Sequence, residues 1–101
     1  GSVGRGPVKR YVKRRCEAAG FAVLIEVGVW LGQSVAEWVL SNECVRVVGV
    51  DPFLYPKPEN TAFNKALALS HVRRRVSNAS RRVHLVTGFA PDALRSLNSE
   101  A

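Results

Sequence analysis

Residues 21–34 read Phe21-Ala22-Val23-Leu24-Ile25-Glu26-Val27-Gly28-Val29-Trp30-Leu31-Gly32-Gln33-Ser34, and this stretch decides the fold. Its first nine residues are a continuous apolar run with one acid, Glu26, near the end. Such a run predicts a strand buried on both faces, as in a parallel sheet. Gly28 and Gly32 break the strand, and Gln33-Ser34 opens a segment with Val35, Trp38 and Val39 at helical spacing, ending near Ser41-Asn42. Gln33 or Ser34 stands at the helix start, where a Ser can cap free backbone N–H groups. Val45 to Val50 is a second buried strand, closed by Asp51-Pro52. Strand, helix and strand make one right-handed parallel crossover.

Working outward, Pro7 to Ala19 places Val8, Tyr11, Val12 and Cys16 at three- and four-residue intervals opposite a basic side, with Gly20 after them. That pattern predicts a leading basic amphipathic helix over 7–19. Downstream, residues 53–59 and the prolines Pro52, Pro56 and Pro58 form a loop. A long helix is expected from Glu59 to Val76, with Phe63, Ala66, Leu67, Leu69 or Ser70, and Val76 as its inner stripe. Ser77 to Ser80 is a turn and Val83 to Thr87 a third strand. After Gly88, Pro91 starts a short helix holding Ala93, Leu94 and Leu97. The alternation predicts an α/β layer fold with a mostly parallel sheet.

The whole chain of 101 residues makes one domain, with 47% apolar residues supplying a globular core. No run reaches the roughly 20 apolar residues of a membrane span. Gly1-Ser2 is read as a tag remnant, and with no Met in the chain neither native end is identified. Cys16 and Cys44 lack the spacing of a zinc site, and the expectation is two buried thiols in a reducing, cytoplasmic compartment. His71 and His84 have no companions at metal or triad spacing.

The net charge of +7 comes from 15 Lys and Arg against 8 Asp and Glu. Most of the basic groups lie in residues 1–20 and 53–82, whereas 21–52 carry Glu26, Glu37, Glu43 and Asp51 against Arg46. A basic balance draws a domain toward RNA or DNA, yet no recognised nucleic-acid motif is present, and solvated helix faces are the favoured reading.

A glycine turn between a buried strand and a helix lets a ligand approach backbone N–H groups at the positive end of the helix dipole. An acid at the tip of the next strand, Asp51, is placed to bind the two hydroxyls of a ribose. A nucleoside-containing ligand across the first two strand ends is therefore expected. A dinucleotide fingerprint needs a third glycine where Trp30 stands, and a P-loop needs a Lys where Gln33 stands. Glu26 suits a cationic amino-acid tail better than a diphosphate.

These residues resemble the class I S-adenosylmethionine-dependent methyltransferases. Glu26, Gly28 and Gly32 match their acid-Gly-x-Gly-x-Gly motif, with Trp30 at the middle glycine. The form Glu-Val-Gly-Val-Trp-Leu-Gly-Gln-Ser is similar to the macrocin-type sugar O-methyltransferase branch. Val48-Gly49-Val50-Asp51-Pro52-Phe53 resembles that branch's second motif, and residues 83–94 its third strand and following helix, with Phe89-Ala90 where Asp-Ser is usual.

The resemblance implies a Rossmann-like three-layer sandwich, truncated here to its first three strands and their helices, covering residues 21–97. It implies S-adenosylmethionine as cofactor, held by Glu26, Gly28, Val29, Trp30, Gly32, Ser34, Asp51, Pro52, Phe53 and Gly88. Methyl transfer to an oxygen or nitrogen acceptor would belong to the full-length protein, the 101 residues alone lacking the acceptor site. Bland readings stand beside these: Asp51 as a turn cap, Trp30 as packing, Trp38 as core. The second functional reading is a non-catalytic basic module binding RNA, DNA or a protein. In the resembled fold the first strand lies mid-sheet, so here it is expected as an exposed apolar edge, and a homo-oligomer through it follows.

Overall fold

A computed structural model describes residues 5–93 and 95. The elements run α1 (Arg5–Ala19), β1 (Ala22–Val27), α2 (Gln33–Ser41), β2 (Val45–Asp51), α3 (Thr61–Arg75), α4 (Ala79–Arg82) and β3 (Val83–Thr87). The three strands form one parallel sheet in the order β1-β2-β3, with Ala22 opposite Val45 and Val47 opposite Val83. The α/β class and parallel sheet expected from the strand patterns are present. Of the last helix, Asp92, Ala93 and Arg95 are helical, and Leu94 and Leu97 lie outside the described residues.

Alternation sorts the side chains. Ala22 and Leu24 of β1, Val45 and Val47 of β2, and Val83 and Leu85 of β3 join one core with Val12 of α1, Val35, Ala36 and Val39 of α2, and Ala68 and Val72 of α3. Each fully buried Val there contributes about 1.5–3 kcal/mol relative to exposure. Among the described residues the helices cover only this face. Both crossovers step the same way across the sheet, and right-handed crossovers that share a direction place their helices on the same side.

The opposite face corrects the expectation that β1 is buried on both sides: Val23, Ile25 and Val27 are 51%, 56% and 60% exposed. An apolar run reports the environment it suits, and nothing among the described residues supplies a cover here. β1 also pairs on one side only, so it is the sheet edge.

Two further expectations change. Cys16 and Cys44 are not free thiols but a disulfide, which ties the end of α1 to the residue before β2. Spacing along the chain carried no trace of this, because helix and strand are brought together by the crossover. In α3 the buried stripe is Asn64, Ala68 and Val72, while Phe63 and Ala66 are exposed. The helix starts at Thr61 after Asn60, whose side chain accepts from the Phe63 N–H.

A polar residue leads the inner stripe because it closes the proline loop. The Asn64 amide donates to the Phe53 and Lys57 carbonyls and accepts from the Lys57 N–H. Fully buried, it satisfies the Phe53 carbonyl and the Lys57 N–H, and it adds a second donor to the Lys57 carbonyl, which also accepts from the Asn60 N–H. The expected turn at 77–80 contains the start of α4, whose Arg82 reaches back to the end of α2. Its guanidinium donates to the carbonyls of Val39, Asn42 and Val45.

Candidate functional site

The expected site residues gather where β1 and β2 end. β1 stops at Val27, and Gly28 turns with φ 86°, donating its N–H to the Val50 carbonyl. A Cβ added at Gly28 would meet nothing within 4 Å, so its outer side is open to a ligand. Gly32 has a different reason to be glycine. Its φ is 84°, and a Cβ there would lie 2.7 Å from Val72 Cγ2 and 3.1 Å from the Ala68 carbonyl oxygen. It brings the start of α2 against α3, and it serves as the helix N-cap where a Ser was expected.

Asp51 organises the turn. Its Oδ2 accepts from the N–H groups of Val29 (2.6 Å) and Trp30 (3.3 Å), and its Oδ1 from Phe53 (2.7 Å). Trp30 and Phe53 both have φ 54°, a left-handed conformation that costs a bulky residue on the order of 1–3 kcal/mol. One carboxylate thus holds the amides of both strained residues. It accepts three bonds where a carboxylate has room for about four, which leaves capacity for a further donor. The turn-cap and ligand-contact readings of Asp51 are compatible on this geometry.

The other expected residues divide. Val29 is buried, its methyl filling the space over Gly49, and the Phe53 ring is fully buried, so these two offer a ligand backbone only. Gly88 donates its N–H to the Asp51 carbonyl and packs on Ala93. Pro52 is half-buried beside them. Ser34 lies in the first turn of α2, on the wall of an open cleft of about 510 Å³ that Gly28, Trp30, Gln33, Glu37 and Tyr55 also line.

Glu26 is half-buried on the helix-covered side of β1, and its Oε2 is buried with no hydrogen-bond partner among the described residues. A carboxylate oxygen in that condition costs free energy until a donor arrives. Such unsatisfied groups are rare enough to call for an explanation.

Tyr55 joins the cleft although no sequence motif singles it out; only its place in a Pro-flanked loop after Asp51 is visible along the chain. Its ring centroid lies 5.3 Å from that of Trp30 at an interplanar angle of 53°. Glu37 reads in the sequence only as charge, and it too lines the cleft. No group of three or more His, Cys, Asp or Glu that could hold a metal occurs among the described residues.

No family profile and no curated protein matches this sequence. Among solved structures, the chain is similar to the apo form of a TDP-rhamnose 3'-O-methyltransferase, an enzyme in calicheamicin biosynthesis, with a TM-score of 0.57 and 21% identity. It shares that enzyme's fold. The match covers 92% of this chain and 43% of the methyltransferase chain, so the chain spans less than half the length of its structural relative. The parallel α/β fold implied by the sequence motifs is therefore present, with a glycine turn and an acid at neighbouring strand tips. No helix among the described residues is long and apolar enough to cross a membrane.

Proposed function

We propose that this chain is the cofactor-binding part of an S-adenosylmethionine-dependent methyltransferase, which in its full-length form methylates an oxygen or nitrogen acceptor. The observation that carries the reading is the unpartnered, buried Oε2 of Glu26, two residues before a glycine whose side-chain direction is open. An ammonium donor satisfies that oxygen, and charge complementarity favours it over water. Asp51, with one acceptor position left, takes a ribose hydroxyl, and the N-terminal turn of α2 adds its positive dipole end nearby.

When bound, S-adenosylmethionine supplies a methyl group on a sulfonium leaving group. The residues of this chain bind and orient it: Glu26 fixes the amino-acid tail, Asp51 fixes the ribose, and the Asp51 bonds to Val29 and Trp30 hold the turn between them. Positioning is the main contribution a protein makes to such a transfer. The acceptor, and the parts of the fold that hold it, belong to the proposal for the whole protein.

A second reading has one supporting observation: Arg73, Arg74, Arg75 and Arg81 are all exposed, with a basic α1 elsewhere on the surface. A non-catalytic module that binds RNA or DNA would use such groups. Calorimetric titration with S-adenosylmethionine and S-adenosylhomocysteine at moderate salt separates the two. The first reading expects binding that Asp51→Ala abolishes and Arg74→Ala leaves intact. No heat from either ligand, together with nucleic-acid binding that weakens steeply with salt, sinks it in favour of the second.

A further inference from the structure

α1 is attached to the fold at few points. From Pro7 to Ala19, Val12 is buried and Cys16 half-buried, and every other residue is exposed. Clefts flank the helix on both sides. One of about 290 Å³ separates Tyr11, Val12 and Arg15 from the start of β1, and one of about 180 Å³ separates Lys9, Val12 and Lys13 from Trp38 of α2. A helix bordered by open space lacks the close contacts that hold a core together.

Nor does the helix hold itself. Isolated helices of roughly 12–15 residues are marginal in water, and α1 has 15. Lys9 and Lys13, and Arg10 and Arg14, are like charges one turn apart, which repel. The first turn has no acid and the last turn no base, with Glu17 there instead, so neither end suits the helix dipole. The covalent tie is what remains. Cys16 lies in the last turn of α1 and Cys44 directly before β2, their Cα atoms 5.9 Å apart. The β2 side is anchored without it, because β2 pairs on both edges and Arg82 binds the Val45 carbonyl.

We infer that the Cys16–Cys44 disulfide is a redox latch that decides whether α1 is docked. A dithiol reductant opens it: one thiolate attacks a sulfur, the S–S bond breaks through a mixed disulfide, and two electrons and two protons pass to the chain. The chain is left with two thiols and the reductant becomes a disulfide. Neither cysteine is buried, and exposed disulfides are the labile ones. Once reduced, α1 leaves the sheet as a basic arm, and Ala22 and Trp38 open to solvent where it lay. The strands, α2 and α3 stay packed, since Val12 is the one fully buried side chain that α1 gives their core. The latch is independent of the cofactor reading.

Hydrogen exchange read by mass spectrometry tests it, on the oxidised chain, on the chain reduced with dithiothreitol and on Cys16→Ser with Cys44→Ser. The expected result is that residues 7–19 exchange close to the rate of an unfolded peptide in the reduced chain and the double variant. In the oxidised chain they are slower by about ten-fold or more, and β2 and α3 stay protected in all three. Protection of 7–19 that survives reduction overturns the inference, since packing then holds the helix unaided. Loss of protection in β2 and α3 together with α1 overturns it as well, and makes the disulfide a staple for the whole fold. Equilibration in glutathione buffers of rising reduced-to-oxidised ratio should move 7–19 from the slow to the fast state. A disulfide that stays intact in fully reduced glutathione is a fixed cross-link and no latch.

Discussion

At the amino ends of the strands, the turns are tied down by covalent and charged clamps, whereas at the carboxyl ends strain and an unmet polar atom are tolerated. On the first side, the Cys16–Cys44 disulfide joins α1 to β2, and Arg82 satisfies three carbonyls around the end of α2 and the start of β2. On the other, Trp30 and Phe53 are left-handed and Glu26 keeps a buried oxygen without a partner. One end of the sheet is built for stability and the other gives some up. Sites that bind ligands are commonly drawn from the less settled part of a fold.

That contrast is open to attack by substitution. The largest expected effect is loss of the disulfide: Cys16→Ser with Cys44→Ser, or reduction, frees a loop spanning 28 positions and costs about 3–4 kcal/mol on chain-entropy grounds. Thermal unfolding with and without reductant reads it directly, and an unchanged midpoint would remove the clamp from the picture. Arg82→Ala comes next, at about 3 kcal/mol, because charged donors leave and carbonyls are left unpaired. That corresponds to a midpoint lower by roughly 12–24 °C for a domain of this size. A shift of only a few degrees would mean that water replaces the guanidinium at little cost.

At the opposite end, Glu26→Gln is expected to change stability by less than about 1 kcal/mol, or to raise it, since an uncompensated carboxylate is removed. Cofactor binding should fall sharply in the same variant. A clear loss of stability in Glu26→Gln would show that the oxygen already has a partner and would level the two ends.

The order of elements and the site-bearing turn were legible because they are local. A continuous apolar run, two glycines and an acid after the next strand are all visible along the chain. What escaped was set by tertiary contact. Asn64 is polar at the head of an inner stripe only because a loop folds over it, so hydrophobic spacing pointed to Phe63 and Ala66 instead. The partner of Cys16 depends on the crossover that carries β2 beside the end of α1. Tyr55 became a site residue through a ring that reaches back to Trp30. The aim of Glu26 could be argued from burial cost alone, and its orphaned oxygen is the structural counterpart of that argument.

The exposed side of β1 gives the smallest and simplest test. Val23, Ile25 and Val27 are open on a strand with one free edge, the arrangement from which a homo-oligomer was expected. Light scattering on a dilute sample should report an assembly larger than 11.1 kDa, and Ile25→Lys should return it to monomer. A well-folded monomer before any substitution removes that assembly.

The single carboxylate of Asp51 also sets a kinetic expectation. The amides of Val29, Trp30 and Phe53 come from two separate loops yet share one acceptor group. Release of the carboxylate frees all three at once. In hydrogen exchange they should therefore behave as one cooperative unit with a common opening rate, slowed together when a ligand draws Asp51 tighter into the turn.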